Sequence, residues 1–242
     1  MKKTLLLCLL ALPFALHAQD TAEMVVNRYL QLLNYEALPK DSMLVMETTI
    51  TYSNSIDTFV MRRYYQPEGM MRVEVWQGDT LTTGMCTNGS SRHRVYYSSL
   101  GWWEDKPHVD FHKQMQQYDF RGILYGWHGF GIKLTYLGMA TVDKYKMHAV
   151  RSEQMNHYNR TYFFDPNNGL LVLVTETDEM PEGSRRMPFF EPPIDFKFTH
   201  EYLPIGQSLL PSVESYQRNG ELIVMRTTAH FEPRNNLLFN QD

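Results

Sequence analysis

Hydrophobic and polar residues follow a helical period near the start of the chain and a strand period through most of the rest. Residues 20–34 open on an acidic cap with Glu23 three residues later. They then place Val25, Tyr29, Leu32 and Leu33 at helical spacing, which predicts an amphipathic helix. From Ser42 the period becomes two. Leu44, Met46, Thr48, Ile50 and Tyr52 alternate with Met43, Val45, Glu47, Thr49 and Thr51, the pattern of a strand with two unlike faces. The same habit predicts strands over 56–66, 70–77, 80–87 and 92–98, separated by Ser-Asn, Pro-Glu-Gly, Gly-Asp and Asn-Gly turns, as in consecutive antiparallel hairpins.

The alternation breaks at Gly101-Trp102-Trp103. Residues 109–125 mix helical spacing (Phe111, Met115, Tyr118) with polar positions, which predicts a short helix or structured loop. Strands resume over 132–137, 146–152, 160–164 and 170–175, the last two joined by the turn Asp165-Pro166-Asn167-Asn168-Gly169. A loop over 180–193, with four prolines and Arg185-Arg186, precedes strands over 196–202, 212–218 and 221–231. About ten strands with few helices make a mainly β, α+β fold. A twisted antiparallel sheet of that width curls toward a barrel. An amphipathic helix then packs into the concave face, and unfilled apolar volume there is a ligand cavity.

The uncharged run of residues 4–18, behind Lys2 and Lys3 and ending in His17-Ala18-Gln19, reads as a secretory signal cleaved after Ala18. It is shorter than the roughly 20 residues of a transmembrane helix, so no transmembrane anchor is expected. Cys8 follows Leu7 inside the apolar run, which does not suit lipidation. No second core or repeat is visible, so residues 19–242 form a single domain. Loss of Lys2 and Lys3 takes the formal charge from −4 to −6. With no long basic run, nucleic-acid binding is not expected. Cleavage also leaves Cys86 as the lone cysteine, which excludes intramolecular disulfides and thiolate zinc sites.

Several of these residues carry a family resemblance. The order of signal, helix and meander, then Tyr65-Gln66-Pro67 with Arg72 in the next strand and Asn88-Gly89 opening a turn, resembles the outer-membrane lipoprotein carrier LolA and its LolB-like and lipoprotein-sorting relatives. The run from Arg160 through Tyr162, Phe163, Phe164, Asp165 and Gly169 to Leu171 is similar to their hairpin of tyrosine-rich strand, Asp, turn glycine and Leu. The resemblance implies a large, curved antiparallel sheet forming an unclosed half-barrel, with helices packed on its concave face, that binds acyl chains and carries them across a periplasm. The family places Asp-Gly-Lys and a tryptophan where this chain has Asn88-Gly89-Ser90 and His93, and this chain adds the basic, Pro-rich loop.

Catalytic signatures are missing: there is no Gly-x-Ser-x-Gly elbow, phosphate loop or His-Glu-x-x-His. The run from Gly126 to Gly131 has bulky aromatics where a phosphate would need close backbone approach, and reads as a flexible aromatic loop. His108 and His112 share a helix face, but Pro107 precedes them and Asp110 points elsewhere, so a solvated helix start is expected rather than a metal site. His93 reads as a surface strand residue, and Cys86 as a small buried hydrophobe. No catalytic residue, metal or cofactor is expected. Trp102, Trp103, Phe120, Ile123, Leu124, Trp127 and Phe130 crowd the one region that is not clean strand, where they form either a lid over a cavity or the closure of a core. With Trp76 and Met115 they are the candidate ligand-binding residues. The fifteen methionines suit an adaptable apolar lining as well as core filling. The expected function is that of an exported, periplasmic or secreted, non-enzymatic protein that binds a lipid or acylated lipoprotein. An envelope sensor or interaction module, with a protein partner in the envelope, is the alternative.

Overall fold

In the computed structural model the described residues are 21–89, 93–105, 119–155, 157–177, 179, 181–183 and 194–239. The predicted signal over residues 1–18, Met115, the group His108, Asp110 and His112, and most of the Pro-rich loop lie outside them.

Helix α1 (Ala22–Leu33) forms where the helical spacing predicts it, with its cap one residue later: Thr21 accepts a hydrogen bond from the Met24 amide at 3.2 Å. Asn34 ends the helix in the left-handed region at φ 49°, a conformation that asparagine tolerates. Its apolar stripe, Val25, Val26, Tyr29 and Leu33, is buried against the sheet. Each such aliphatic side chain contributes about 1.5–3 kcal/mol when removed from water. Two ties fix the helix. Asn34 Nδ2 donates to the Gln207 carbonyl while Ser208 Oγ donates to the Asn34 carbonyl at 2.8 Å. The Arg28 guanidinium donates to the carbonyls of Pro166 and Asn167.

Among the described residues, thirteen strands form one antiparallel sheet: β1 (Ser42–Tyr52), β2 (Thr58–Gln66), β3 (Met70–Gln77), β4 (Thr80–Asn88), β5 (His93–Tyr97), β6 (Trp102–Asp105), β7 (Lys133–Val142), β8 (Tyr145–Glu153), β9 (Arg160–Phe164), β10 (Leu171–Glu176), β11 (Phe196–Ile205), β12 (Ser208–Arg218) and β13 (Glu221–Pro233). The spatial order is β6-β5-β4-β3-β2-β1-β13-β12-β11-β10-β9-β8-β7. Two meanders are therefore joined along β1 and β13, and among the described residues β6 and β7 are the outermost strands. The sheet is unclosed, an open half-barrel with α1 on its concave face. β6 is an addition to the prediction: the tryptophan pair that breaks the alternation belongs to a short edge strand.

Register fixes which side chains share a face. Leu44 and Tyr65, Met46 and Arg63, and Thr48 and Met61 are opposed pairs of β1 and β2 that face inward, with Met71, Val73 and Val75 continuing the concave face on β3. The alternate set of Val45, Tyr64, Arg72, Glu74, Trp76 and Cys86 faces the convex side. The main core lies between the concave face, α1 and residues 120–132. A second inward cluster gathers Met61, Met71, Val73 and Met85. His93 departs from expectation. It opposes the inward-facing Thr87, is 4% exposed, and its Nδ1 lies 3.0 Å from the Thr87 hydroxyl.

Candidate functional site

Residues 119–132, which precede β7, lie on the concave side of the sheet. Ile123–Gly126 is a 3-10 turn, and Phe120, Leu124, Trp127 and Ile132 are buried in the main core. The Phe120 ring stands edge-on to Tyr35 and to Tyr65, with centroids 5.2 Å apart in each pair, and Tyr125 lies 5.9 Å from Tyr35. Arg121 caps this aromatic group. Its guanidinium is 5.2 Å from the Tyr65 ring and 4.6 Å from that of Tyr125 while it is paired with Asp119 at 2.6 Å.

Beside the aromatic group opens a cleft of about 320 Å³, walled by Tyr35, Leu38, Leu44, Tyr65, Tyr125 and Phe231, with Glu36 and Lys40 at its margin. Its floor is the concave sheet and its roof is the segment that follows α1. That volume is at the lower end of the range for small-molecule sites. A second cavity, of about 400 Å³, sits between the start of β8, at Lys144–Met147, and the turn at Asp165–Asn167.

The interior beyond the cleft is not wholly apolar. Arg63 projects inward from β2. Burial pushes its guanidinium below the usual range, against the opposing pull of Glu214, Tyr35 and Asp119, while the side chain as a whole is half-buried. Its Nη2 donates to Thr48 Oγ1 at 3.0 Å, and that hydroxyl shares a hydrogen bond with Thr227 at 2.8 Å. The hydroxyls of Tyr29, Tyr35 and Tyr202 are all pushed up, chiefly by burial. Sequence reading misses Arg63 and Tyr35. The signal for Arg63 was present as an arginine at an inward position of a strand whose neighbours on that face are Met61 and Tyr65.

The predicted ligand residues separate into three places. Phe120, Ile123, Leu124 and Trp127 come together beneath α1, and Phe130 follows them at 40% exposure. Trp102 is exposed on the edge strand, opposite Tyr97. Trp76 and Trp103 face the convex side. Trp103 lies across β4 where Gly84 leaves room, since a Cβ there would meet the ring at 2.6 Å. The Arg72 guanidinium stacks over that ring at 4.9 Å and donates to Glu74 at 2.7 Å, and Trp76 Nε1 donates to the same carboxylate at 3.1 Å. The C-terminal turn Asn236–Phe239 also lies on this face: Arg72 Nη1 donates to the Leu238 carbonyl, and the buried Cys86 thiol to that of Phe239. Cys86 is a buried small residue, as expected.

Among the described residues there is no group of three His, Cys, Asp or Glu arranged to hold a metal, and no helix long and apolar enough to cross a membrane. No family model matches the sequence, and no curated protein matches it. Solved structures do match. A DUF1329 family protein from Desulfovibrio piger superposes with TM-score 0.58 at 10% identity, over 92% of this chain and 98% of that one. A LolA superfamily protein from Nitrosomonas europaea gives TM-score 0.55 at 11% identity, over 91% and 97%. A domain described as an outer membrane lipoprotein-sorting protein, from Vibrio parahaemolyticus, gives 0.54 at 9% identity, over 89% and 97%. The fold is LolA-like.

Proposed function

We propose that this protein is an exported, non-enzymatic carrier that holds the acyl chain of a lipid or lipoprotein against the concave face of its half-barrel. The observation that carries the reading is the cleft of about 320 Å³ between the concave sheet and the segment following α1, where Tyr35, Leu38, Leu44, Tyr65 and Phe231 supply an apolar wall and Glu36, Lys40 and Ser42 a polar one. At about 0.8 kcal/mol per buried methylene, burial of one long chain supplies of order 10 kcal/mol before ordering costs, so few polar contacts are needed. The contact set we propose is the cleft wall continued by Phe120, Ile123, Leu124 and Trp127. Trp76 and Trp103, on the opposite face, belong to the packing of β3 to β6 and the C-terminal turn. Export follows from the signal proposed over residues 1–18, and the domain is the remainder of the chain.

Photo-cross-linking with a diazirine-bearing palmitoyl probe tests the reading. Cross-links are expected in peptides carrying Tyr35, Tyr65 and Phe120. Cross-links confined to peptides carrying Trp76 and Trp103, or none, would overturn it.

A further inference from the structure

Two carboxylates face Arg63 across the concave interior, Glu214 and Asp119, and each already has a cation of its own. Glu214 is paired with Lys197 at 2.8 Å and Asp119 with Arg121 at 2.6 Å. Arg63 makes no ion pair among the described residues. Its one hydrogen bond there goes to the Thr48 hydroxyl, and its buried Nε has no partner. The buried Tyr35 hydroxyl, within electrostatic reach of the same guanidinium, has no partner among the described residues either.

A cation in low-dielectric surroundings with one neutral partner is unfavourable by itself, and an idle hydroxyl beside it adds to the cost. An anion placed between them would satisfy both, with the Arg63 Nε–H and the Tyr35 O–H donating to its oxygens in charge-assisted bonds. The surroundings say what such an anion is attached to. Arg63 is flanked on its own strand by the inward-facing Met61 and Tyr65, and across the register by Met46 and Val73. It therefore sits at the seam between the main core and the methionine-rich cluster, and Tyr65 and Tyr35 both line the cleft. A small free anion needs no apolar walls; an anion carrying an alkyl chain does.

We propose that Arg63 and Tyr35 form the headgroup subsite for a single-chain lipid with an anionic head, a carboxylate or a phosphate monoester, whose chain runs along the apolar wall beyond Tyr65. The proposal rests on the acyl-chain reading above and adds a charge requirement to it.

The test compares pyrenedodecanoic acid with its methyl ester, which keeps the chain and removes the charge, on the exported protein. The parent is expected to bind the acid at least about tenfold more tightly. Arg63→Met is expected to bring the acid down to the level of the ester and Tyr35→Phe to narrow the gap, while Arg62→Met, on the convex face, leaves it unchanged. Displacement by lysophosphatidate more effectively than by dodecanoate assigns the head as phosphate, and the reverse order as carboxylate. Equal binding of acid and ester by the parent, a comparison that needs no variant, overturns the subsite and leaves acyl carriage standing. Binding of neither overturns both. Displacement of the acid by equimolar inorganic phosphate overturns the lipid headgroup in favour of a free-anion site.

Discussion

Phe120 and Tyr65 meet edge to face at 5.2 Å, although one belongs to the segment that precedes β7 and the other to β2 in the N-terminal meander. The contact ties the wall of the cleft to the segment that covers it, so fold and site share one set of aromatic side chains. Phe120→Ala should therefore cost about 3–5 kcal/mol of stability, the usual range for a buried phenylalanine, and also weaken acyl-probe binding. Urea unfolding checks the first effect, and a midpoint unchanged from the parent would contradict the packing described.

The tyrosines of the concave core make alkaline stability a readout. Tyr29, Tyr35 and Tyr202 hold their protons well above the ordinary tyrosine range, chiefly because burial penalises the phenolate. Their contribution is intact below about pH 10, where the unfolded chain's tyrosines begin to ionise, and is lost as pH rises further. Tyrosinate absorbance during a base titration should show exposed tyrosines ionising first, then a cooperative late step together with loss of the β-sheet circular dichroism. Gradual ionisation of every tyrosine in the folded protein would contradict this.

The strand period carried most of the fold. β1, β3 and β9 fall at the residues the alternation predicts, and the Asp165-Gly169 turn is where its residues demand it. The edge strand β6 was hidden because a four-residue strand beginning with two tryptophans has no alternation to read. The site was less legible, since a run of aromatics along the chain does not reveal which side of the sheet each one faces. Trp76 and Trp103 share chemistry with Phe120 and Trp127, and only the register sends them to the convex side. Arg63 and Tyr35, far apart in sequence, come within electrostatic reach of one another only through the packing of the segment after α1 on the concave sheet.

Gly169 is at φ +75°, and a Cβ there would come within 2.9 Å of Arg28 Nε and 3.0 Å of Leu32 on α1. Gly169→Ala thus combines backbone strain with a clash against the helix that covers the interior. It should cost at least about 1 kcal/mol, lowering the melting temperature by about 2–4 °C for a chain of this size. Arg28→Ala should remove the clash with the guanidinium and recover part of the loss in the double variant. Differential scanning calorimetry of the three variants decides this, and additive losses would contradict the coupling.

On the convex face, Cys86 is 4% exposed and its thiol donates to the Phe239 carbonyl at 3.4 Å, beneath the C-terminal turn. The native thiol should react slowly with an aromatic disulfide reagent, and a chain ended at Asn235 should react much faster while keeping its β-sheet circular dichroism. Equal rates would show that the turn does not shield Cys86.

Native mass spectrometry of the protein purified from the exported fraction, under conditions that retain co-purifying lipids, reads out acyl-lipid carriage with no added probe. The expected species is a chain beginning at Gln19 with a single-chain anionic lipid bound, and that lipid is lost in Arg63→Met. Only the unliganded mass in the parent, from cells grown with their normal complement of lipids, would contradict acyl-lipid carriage and point instead to an interaction module of the same fold.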